Sequence, residues 1–223
     1  MMSESTKRRD TPRPAAFRLS GAKVQPLRFS GDDAALAAAL KQKHPGAMEA
    51  LYDRYAPLVQ RVIIRVMGVD HNLSDMVHEV FVEAYTHIRS IKDGSRLQAW
   101  ITSIAVFTAR GRIRRRSRRR VFWMNEVGEL PDVPTNECAP EDREALRMTY
   151  QILDSMPADE RIAFSLRFIE GMELEETAQS CRVSLSTIKR RLNRAQGRFV
   201  AIAHRYPVLR SWIAEGDRWQ VKG

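Results

Sequence analysis

Cysteine is almost missing from this chain: 223 residues hold only Cys138 and Cys181. Two such residues exclude a disulfide framework and a cysteine-rich zinc site. Long apolar runs are missing as well. Ala34–Leu40 and Val62–Val69, the latter broken by Arg65, fall far short of a bilayer span, so no direct membrane insertion is expected. The basic N-terminus is not followed by an apolar core, so no secretory signal is expected, and the chain reads as soluble and cytoplasmic. There is no glycine-rich phosphate loop and no His-Glu-x-x-His. His71, His78 and His87 do not stand four apart, as a helical metal pair would. No metal, cofactor or catalytic residue is expected, and the chain does not read as an enzyme. Period-two alternation and internal repeats are absent too.

What the chain does have is positive charge. Lys and Arg number 37 against 27 Asp and Glu, a net of +10. Such an excess favours a polyanionic partner. The charge is divided: residues 1–45 carry net +5, 46–90 net −2, 91–123 net +9, 124–183 net −9 and 184–223 net +7. Two basic blocks separated by an acidic one suit two docking points on one polyanion. The acidic block is expected to face away from phosphate.

Helical spacing dominates. Acids at Asp32 and Asp33 precede Ala34–Leu40, a helix start, and His44-Pro45-Gly46 breaks it. Leu51, Tyr55, Leu58, Val62 and Val66 recur at three- and four-residue steps, with Pro57 expected to kink or restart the helix and Gly68 to end it. A further helix over about Leu73–Ile91 carries Met76, Val77, Val80, Phe81, Ala84, Tyr85 and Ile88 on its apolar stripe. A turn at Lys92–Ser95 leads to a helix bearing Leu97, Trp100, Ile101, Ile104, Ala105 and Ile113 and running into the arginines at 114–120. Asn125–Pro140 reads as a flexible linker, and helical spacing returns at Glu141. The predicted fold is all-α: two small helical domains joined by a flexible linker. The divisions are a basic arm with a short helix (1–45), a first domain (46–120), a linker (121–140), a second domain (141–203) and a tail (204–223), expected to cap the last helix, with a short docking helix as the alternative.

Leu174–Leu192 has helix-turn-helix spacing. Ala178 is small where two helices cross, Val183 is apolar at the turn, Ser184 suits the cap, and Ile188 and Leu192 face inward. Ser184, Ser186, Thr187, Lys189, Arg190, Arg191 and Arg194 are expected to project outward onto DNA, reaching base edges and phosphates. The alternative is an amphipathic hairpin with a solvated basic face. Upstream, eight arginines fall within residues 110–120, near the aromatic residues Trp100 and Phe107. Arginines hold phosphates and aromatic rings stack on unpaired bases; a core position for Trp100 is the other reading. Asp75, Glu79 and Glu83, spaced by four, make a stripe that repels DNA and suits a basic protein surface or plain solvent. Cys181 reads as a small buried apolar residue.

Three stretches, Ala50–Val59, Asp75–Phe81 and Ala99–Ala105, resemble the second conserved region of bacterial RNA polymerase sigma factors of the extracytoplasmic-function group. Leu153–Pro157 through Leu192–Ala195 resembles the fourth region. The resemblance implies a promoter-specificity subunit of RNA polymerase. It implies that Asp75, His78, Glu79 and Phe81 bind the clamp of the largest subunit. It implies that Lys92, Arg96, Trp100, Phe107, Arg110, Arg112, Arg114 and Arg115 read and open the minus-ten element. Ser184–Phe199 would enter the major groove at minus-thirty-five, and a cognate anti-sigma protein would hold the factor inactive. A stand-alone helix-turn-helix regulator and a non-specific basic nucleic-acid-binding protein are the competing readings. The sequence departs from the family pattern at His78 (usually Gln), Tyr85 (Trp), Phe107 (Asn), Gly111 (polar) and Arg182 (Gly). A left-handed turn at Arg182 would cost about 1 kcal/mol.

Overall fold

The computed structural model describes residues 29–68, 70–122 and 139–214, with side chains given up to 118 in the second stretch and up to 210 in the third. Within them the chain is α-helical: α1 (Asp33–Lys41), α2 (Ala47–Met67), α3 (Leu73–His87), α4 (Leu97–Phe122), α5 (Pro140–Asp154), α6 (Ala158–Phe164), α7 (Leu174–Cys181), α8 (Leu185–Ala203) and α9 (Pro207–Ala214). The arm over residues 1–28 and the linker at 125–138 lie outside the described residues.

The first unit is built on α2 and α4, with α1 and α3 laid against them. Asp32 starts α1 by accepting the Ala35 N–H at 2.8 Å, the capping role its position implies. Leu36 and Leu40 of α1 are buried in the same core as Leu51, Val59, Val62 and Ile63 of α2. The short helix is therefore an integral wall of this unit. Gly46 and Gly68 bound α2 with φ of 82° and 80°, left-handed values that glycine adopts without penalty.

Pro57 neither kinks nor restarts α2, which is one helix through it. Proline withholds one N–H. Asp53, whose carbonyl loses that partner, is exposed along with Pro57, so water is available in its place. Buried Leu51, Tyr55, Val59 and Val62 anchor the helix on both sides. The α3 helix ends at His87 and continues as a single tighter turn over Ile88–Ser90. Tyr85, expected on the apolar stripe, is 48% exposed.

In the second unit α6 packs on α8 and α7 on α8, while α9 closes against α5 and α8. Phe164, Phe199, Leu153 and Leu209 form its inner core, so the described part of the tail is a cap on the last helices. After Phe164 the helix widens into one π turn over Ser165–Ile169. The wider turn ends beside Glu170, whose carboxylate pairs with Arg61 of α2 at 2.7 Å and Arg65 at 3.7 Å.

The two units pack on one another. Ile162, Leu166, Leu174, Ala178, Cys181 and Ile188 belong to the same apolar cluster as the α2 and α4 core residues. The contact also closes the end of α2. The last four carbonyls of a helix have no partner within it. In α2 the Tyr150 hydroxyl donates to those of Ile64 and Arg65 at 3.0 and 3.2 Å. Arg161 donates to Val66 and Met67 at 2.8 and 2.9 Å. Arg161 is 3% exposed, and Asp154 lies against its guanidinium. Burial pushes the Arg161 pKa down, and Asp154 opposes that shift.

Candidate nucleic-acid interface

The helix-turn-helix is α7, the turn at Arg182–Ser184 and α8. Ser184 caps α8, accepting the Thr187 N–H at 3.3 Å. Its hydroxyl is also within 3.0 Å of Ser186 Oγ and 2.9 Å of Thr187 Oγ1. Ala178, Ile188 and Leu192 are buried and Val183 is partly buried, which fixes the crossing of the two helices. Ser184, Ser186, Arg190 and Arg194 are exposed, and Thr187 and Lys189 are half-buried. Arg191 does not project outward with them. It turns back and donates to Asp159 Oδ2 of α6 at 3.2 Å, because the helix face at 191 meets the start of α6.

Arg182 has φ 52° and ψ 48°, so the turn is left-handed and a side chain there carries a cost of about 1 kcal/mol. The same side chain reaches α4. Its Nε and Nη2 donate to Ser103 Oγ at 3.2 and 2.9 Å, and its guanidinium lies 5.1 Å from the centre of the Phe107 ring. Arg110 lies 4.9 Å from the same ring. The two departures from the family pattern at 107 and 182 thus touch one another. A cation over an aromatic face gains roughly 0.5–1 kcal/mol at an exposed site, an offset of the size of the turn's cost. At Gly111, an added Cβ would meet nothing nearer than Arg115 at 3.9 Å, so packing does not require glycine there.

On α4, Trp100 is half-buried against the core and Phe107 is 37% exposed. Lys92, Arg96, Arg114 and Arg115 are exposed, and Arg110 and Arg112 are half-buried. Arg110 Nε lies 2.9 Å from Asp159 Oδ1 and Arg114 Nη2 lies 3.5 Å from Asp159 Oδ2. The Arg110 pair is close enough for an ion pair but not aligned as a hydrogen bond. Asp159 belongs to the acidic block expected to face away from phosphate. Instead the fold inserts it among three arginines expected to hold phosphate, because α6 packs on both α4 and α8.

The loop before α4 is held by α1. Lys41 Nζ donates to the Ile91 carbonyl at 2.7 Å. Gly94 sits so close to α1 that an added Cβ would lie 3.0 Å from Ala34 Cα. The Ser95 hydroxyl and N–H donate to Asp93, holding its carboxyl below the ordinary value. Between this loop and the turn at Arg182 is a cleft of about 550 Å³, lined by Lys92, Arg96, Trp100, Ser103 and Arg182 among others. No local pattern marks Lys41, Ser103 or Asp159, since each acts only through a distant segment.

A further face lies on α3, whose Glu79 and Glu83 share a cavity of about 290 Å³ with Trp100 and Phe107 of α4. Asp75, His78 and Glu79 are exposed, whereas Phe81 is buried beneath the Tyr52 ring, centroids 4.8 Å apart. Tyr52, Val82 and Tyr85 are each about half exposed, so the acidic stripe is flanked by apolar surface. Cys181 is buried, and burial pushes its thiol up to about 11. No helix among the described residues is long and apolar enough to cross a membrane.

Residues 51–119 match the family described as Sigma-70 region 2, and residues 146–196 match Sigma-70, region 4. The chain is 29% identical to the ECF RNA polymerase sigma-E factor of Haemophilus influenzae, over 74% of this chain and 91% of that protein. It is 26% identical to the ECF RNA polymerase sigma-E factor of Escherichia coli K12, over 67% and 83%. Among solved structures it is similar in fold to CnrH, solved with the cytosolic domain of CnrY, at 21% identity and a TM-score of 0.54, covering 78% and 98%. A sigma factor RpoE, solved with the anti-sigma factor NepR from Bartonella quintana, matches at 22% and 0.54, covering 69% and 94%.

Proposed function

The chain belongs to the extracytoplasmic-function group of RNA polymerase sigma factors, and from that premise we propose how its surfaces divide the work. It binds core RNA polymerase and directs promoter-specific initiation. The exposed N-terminal part of α8 reads the minus-thirty-five element: Ser186, Lys189, Arg190 and Arg194 reach the major groove, and the capped first turn offers its N–H groups to a phosphate. The loop at 92–96 and the α4 face bearing Trp100, Phe107, Arg110, Arg112, Arg114 and Arg115 hold and open the minus-ten element. Trp100 gives the adjoining cleft an aromatic wall on which an unpaired base stacks. The α3 face with Asp75, His78 and Glu79 docks on the polymerase clamp. Phe81 acts there by supporting Tyr52, and Val82 and Tyr85 add apolar area.

The observation that carries this reading is the contrast in character between the surfaces. Two basic helices from two units serve DNA, and an acidic, partly apolar face on a third helix repels phosphate and suits a protein. A stand-alone regulator has no use for the third face. The protein works by binding rather than catalysis, in the cytoplasm, where the polymerase is. A cognate anti-sigma protein is its second partner, by extension from the RpoE relative in fold. Run-off transcription tests the whole: core enzyme with the protein gives a discrete start from a genomic promoter library, and core alone does not. No start site with folded protein would sink the reading.

A further inference from the structure

We propose that Lys41 of α1 is a positioning residue for minus-ten recognition, holding the loop over residues 92–96 in the shape that presents Lys92 and Arg96 to promoter DNA. The inference rests on the functional reading above and adds a residue to that site. Lys41 lies outside both stretches that match the family, residues 51–119 and 146–196. Its ammonium donates to the Ile91 carbonyl at 2.7 Å, across 50 residues of sequence. At Ile91 the chain leaves the tight turn over Ile88–Ser90 and becomes extended, with φ −70° and ψ 118°. An extended residue stands outside the helical hydrogen-bond pattern, and here a side chain supplies the donor. The bond is charge-assisted, which makes it stronger than a neutral one.

A second contact sets the middle of the same loop. Gly94 lies so close to α1 that an added Cβ would be 3.0 Å from Ala34 Cα and 3.1 Å from Ala37 Cβ. Beside it the Asp93 carboxylate accepts the Ser95 N–H at 3.0 Å and the Ser95 hydroxyl at 2.6 Å. The α1 helix is itself tied to α2. Asp33 accepts from Arg54 at 2.9 Å and from the Tyr55 hydroxyl, and Leu36 and Leu40 are buried in the common core. The helix is thus a strut between α2 and the loop. Lys92 and Arg96 stay exposed and line the cleft that Trp100 walls. A loop fixed before DNA arrives loses less freedom on binding, and its side chains register with one set of bases. Every one of these contacts lies within the first unit and owes nothing to the second.

The test uses the full chain with core polymerase and three variants. Lys41→Met keeps the apolar stem and removes the donor. Gly94→Ala disturbs the loop through the other contact, since its Cβ meets the α1 backbone. Lys43→Gln removes a neighbouring charge from an exposed position and leaves the loop untouched. Circular dichroism verifies that each variant is folded. Lys41→Gln, whose polar tip is one atom shorter, takes the place of Lys41→Met should the latter not fold.

Run-off transcription compares a promoter that the wild-type holoenzyme uses with versions altered at one minus-ten pair or one minus-thirty-five pair. A mismatched minus-ten pair should cost wild type roughly 5- to 150-fold in transcript, and Lys41→Met and Gly94→Ala should each cut that penalty by about threefold or more. The minus-thirty-five penalty and the affinity for core enzyme should stay at wild-type values. A stabilising role alone would lower transcript from every promoter alike. Hydrogen exchange should show the amides at 92–96 exchanging faster in both variants, with those of α2 and α8 unchanged. A folded Lys41→Met with the wild-type minus-ten penalty, or with unchanged loop exchange, overturns the proposal. So does an equal loss at both elements, or a loss shared by Lys43→Gln, which assigns the effect to charge alone. Failure of every protein, wild type included, to direct a start site sinks the sigma-factor reading instead, and the hydrogen exchange still decides whether Lys41 fixes the loop.

Discussion

The two basic helices look alike in the sequence and differ in the structure. On α4, Arg110 and Arg114 are drawn onto Asp159, and Arg116 lies 3.8 Å from Asp154. On α8, Arg190 and Arg194 stand exposed, and Arg191, between them in sequence, is turned inward. The difference is not one of residue type. It is set by which helix face meets α6, the short element that carries both Asp159 and Arg161. A basic run therefore marks a surface able to hold phosphate, while its neighbours decide whether that surface is available.

The largest effect belongs to the contact that joins the units. Arg161→Met should break the buried contact between Arg161 and Asp154 and take the donor from the Val66 and Met67 carbonyls. Breaking a buried pair costs about 3–5 kcal/mol, and urea unfolding should register a loss of that size. A loss under 1 kcal/mol would mean that the units hold together without it.

Next is the comparison of the helices. Arg190→Ala on α8 should cost about 1–3 kcal/mol in promoter binding by holoenzyme and relax sequence preference at minus-thirty-five. Arg114→Ala on α4 should weaken binding about equally across sequences and lower the salt slope by about one. Filter binding over a salt series, with native and altered elements, separates the two. If both variants behave alike, bulk electrostatics has erased the distinction.

The smallest effect is local. Ser184→Ala removes the cap of α8 and should cost about 1 kcal/mol in thermal or urea unfolding. Promoter binding should fall with it only at minus-thirty-five. No change in stability would mean that Thr187 or Ser186 takes over the capping.

Much of this fold was legible because helix signals are local. The Asp32 and Ser184 caps, the Gly46 and Gly68 boundaries and the periodic cores of α2 and α8 all depend on residues within a turn or two. The helix-turn-helix was legible for the same reason. Pro57 misled because a missing N–H costs less where water reaches the orphaned carbonyl. Tyr85 misled because its apolar ring fits the stripe by type, yet the helix turns it to solvent. Phe81 is buried, as its place on the apolar stripe predicts, while its partner Tyr52 is 29 residues away in the chain, a pairing that periodicity within α3 does not reveal.

The sequence by itself determined an all-helical chain with two basic helices and an acidic face ahead of them, since helical period, capping and charge are properties of neighbouring residues. Only the tertiary structure decided that Asp159 stands among the arginines, that Arg182 meets Phe107, and that Tyr150 and Arg161 cap the end of α2. Each of those contacts joins segments about 32 to 95 residues apart, where the pairing follows from the packing of whole helices. It is that packing which joins two separate basic helices into one molecule.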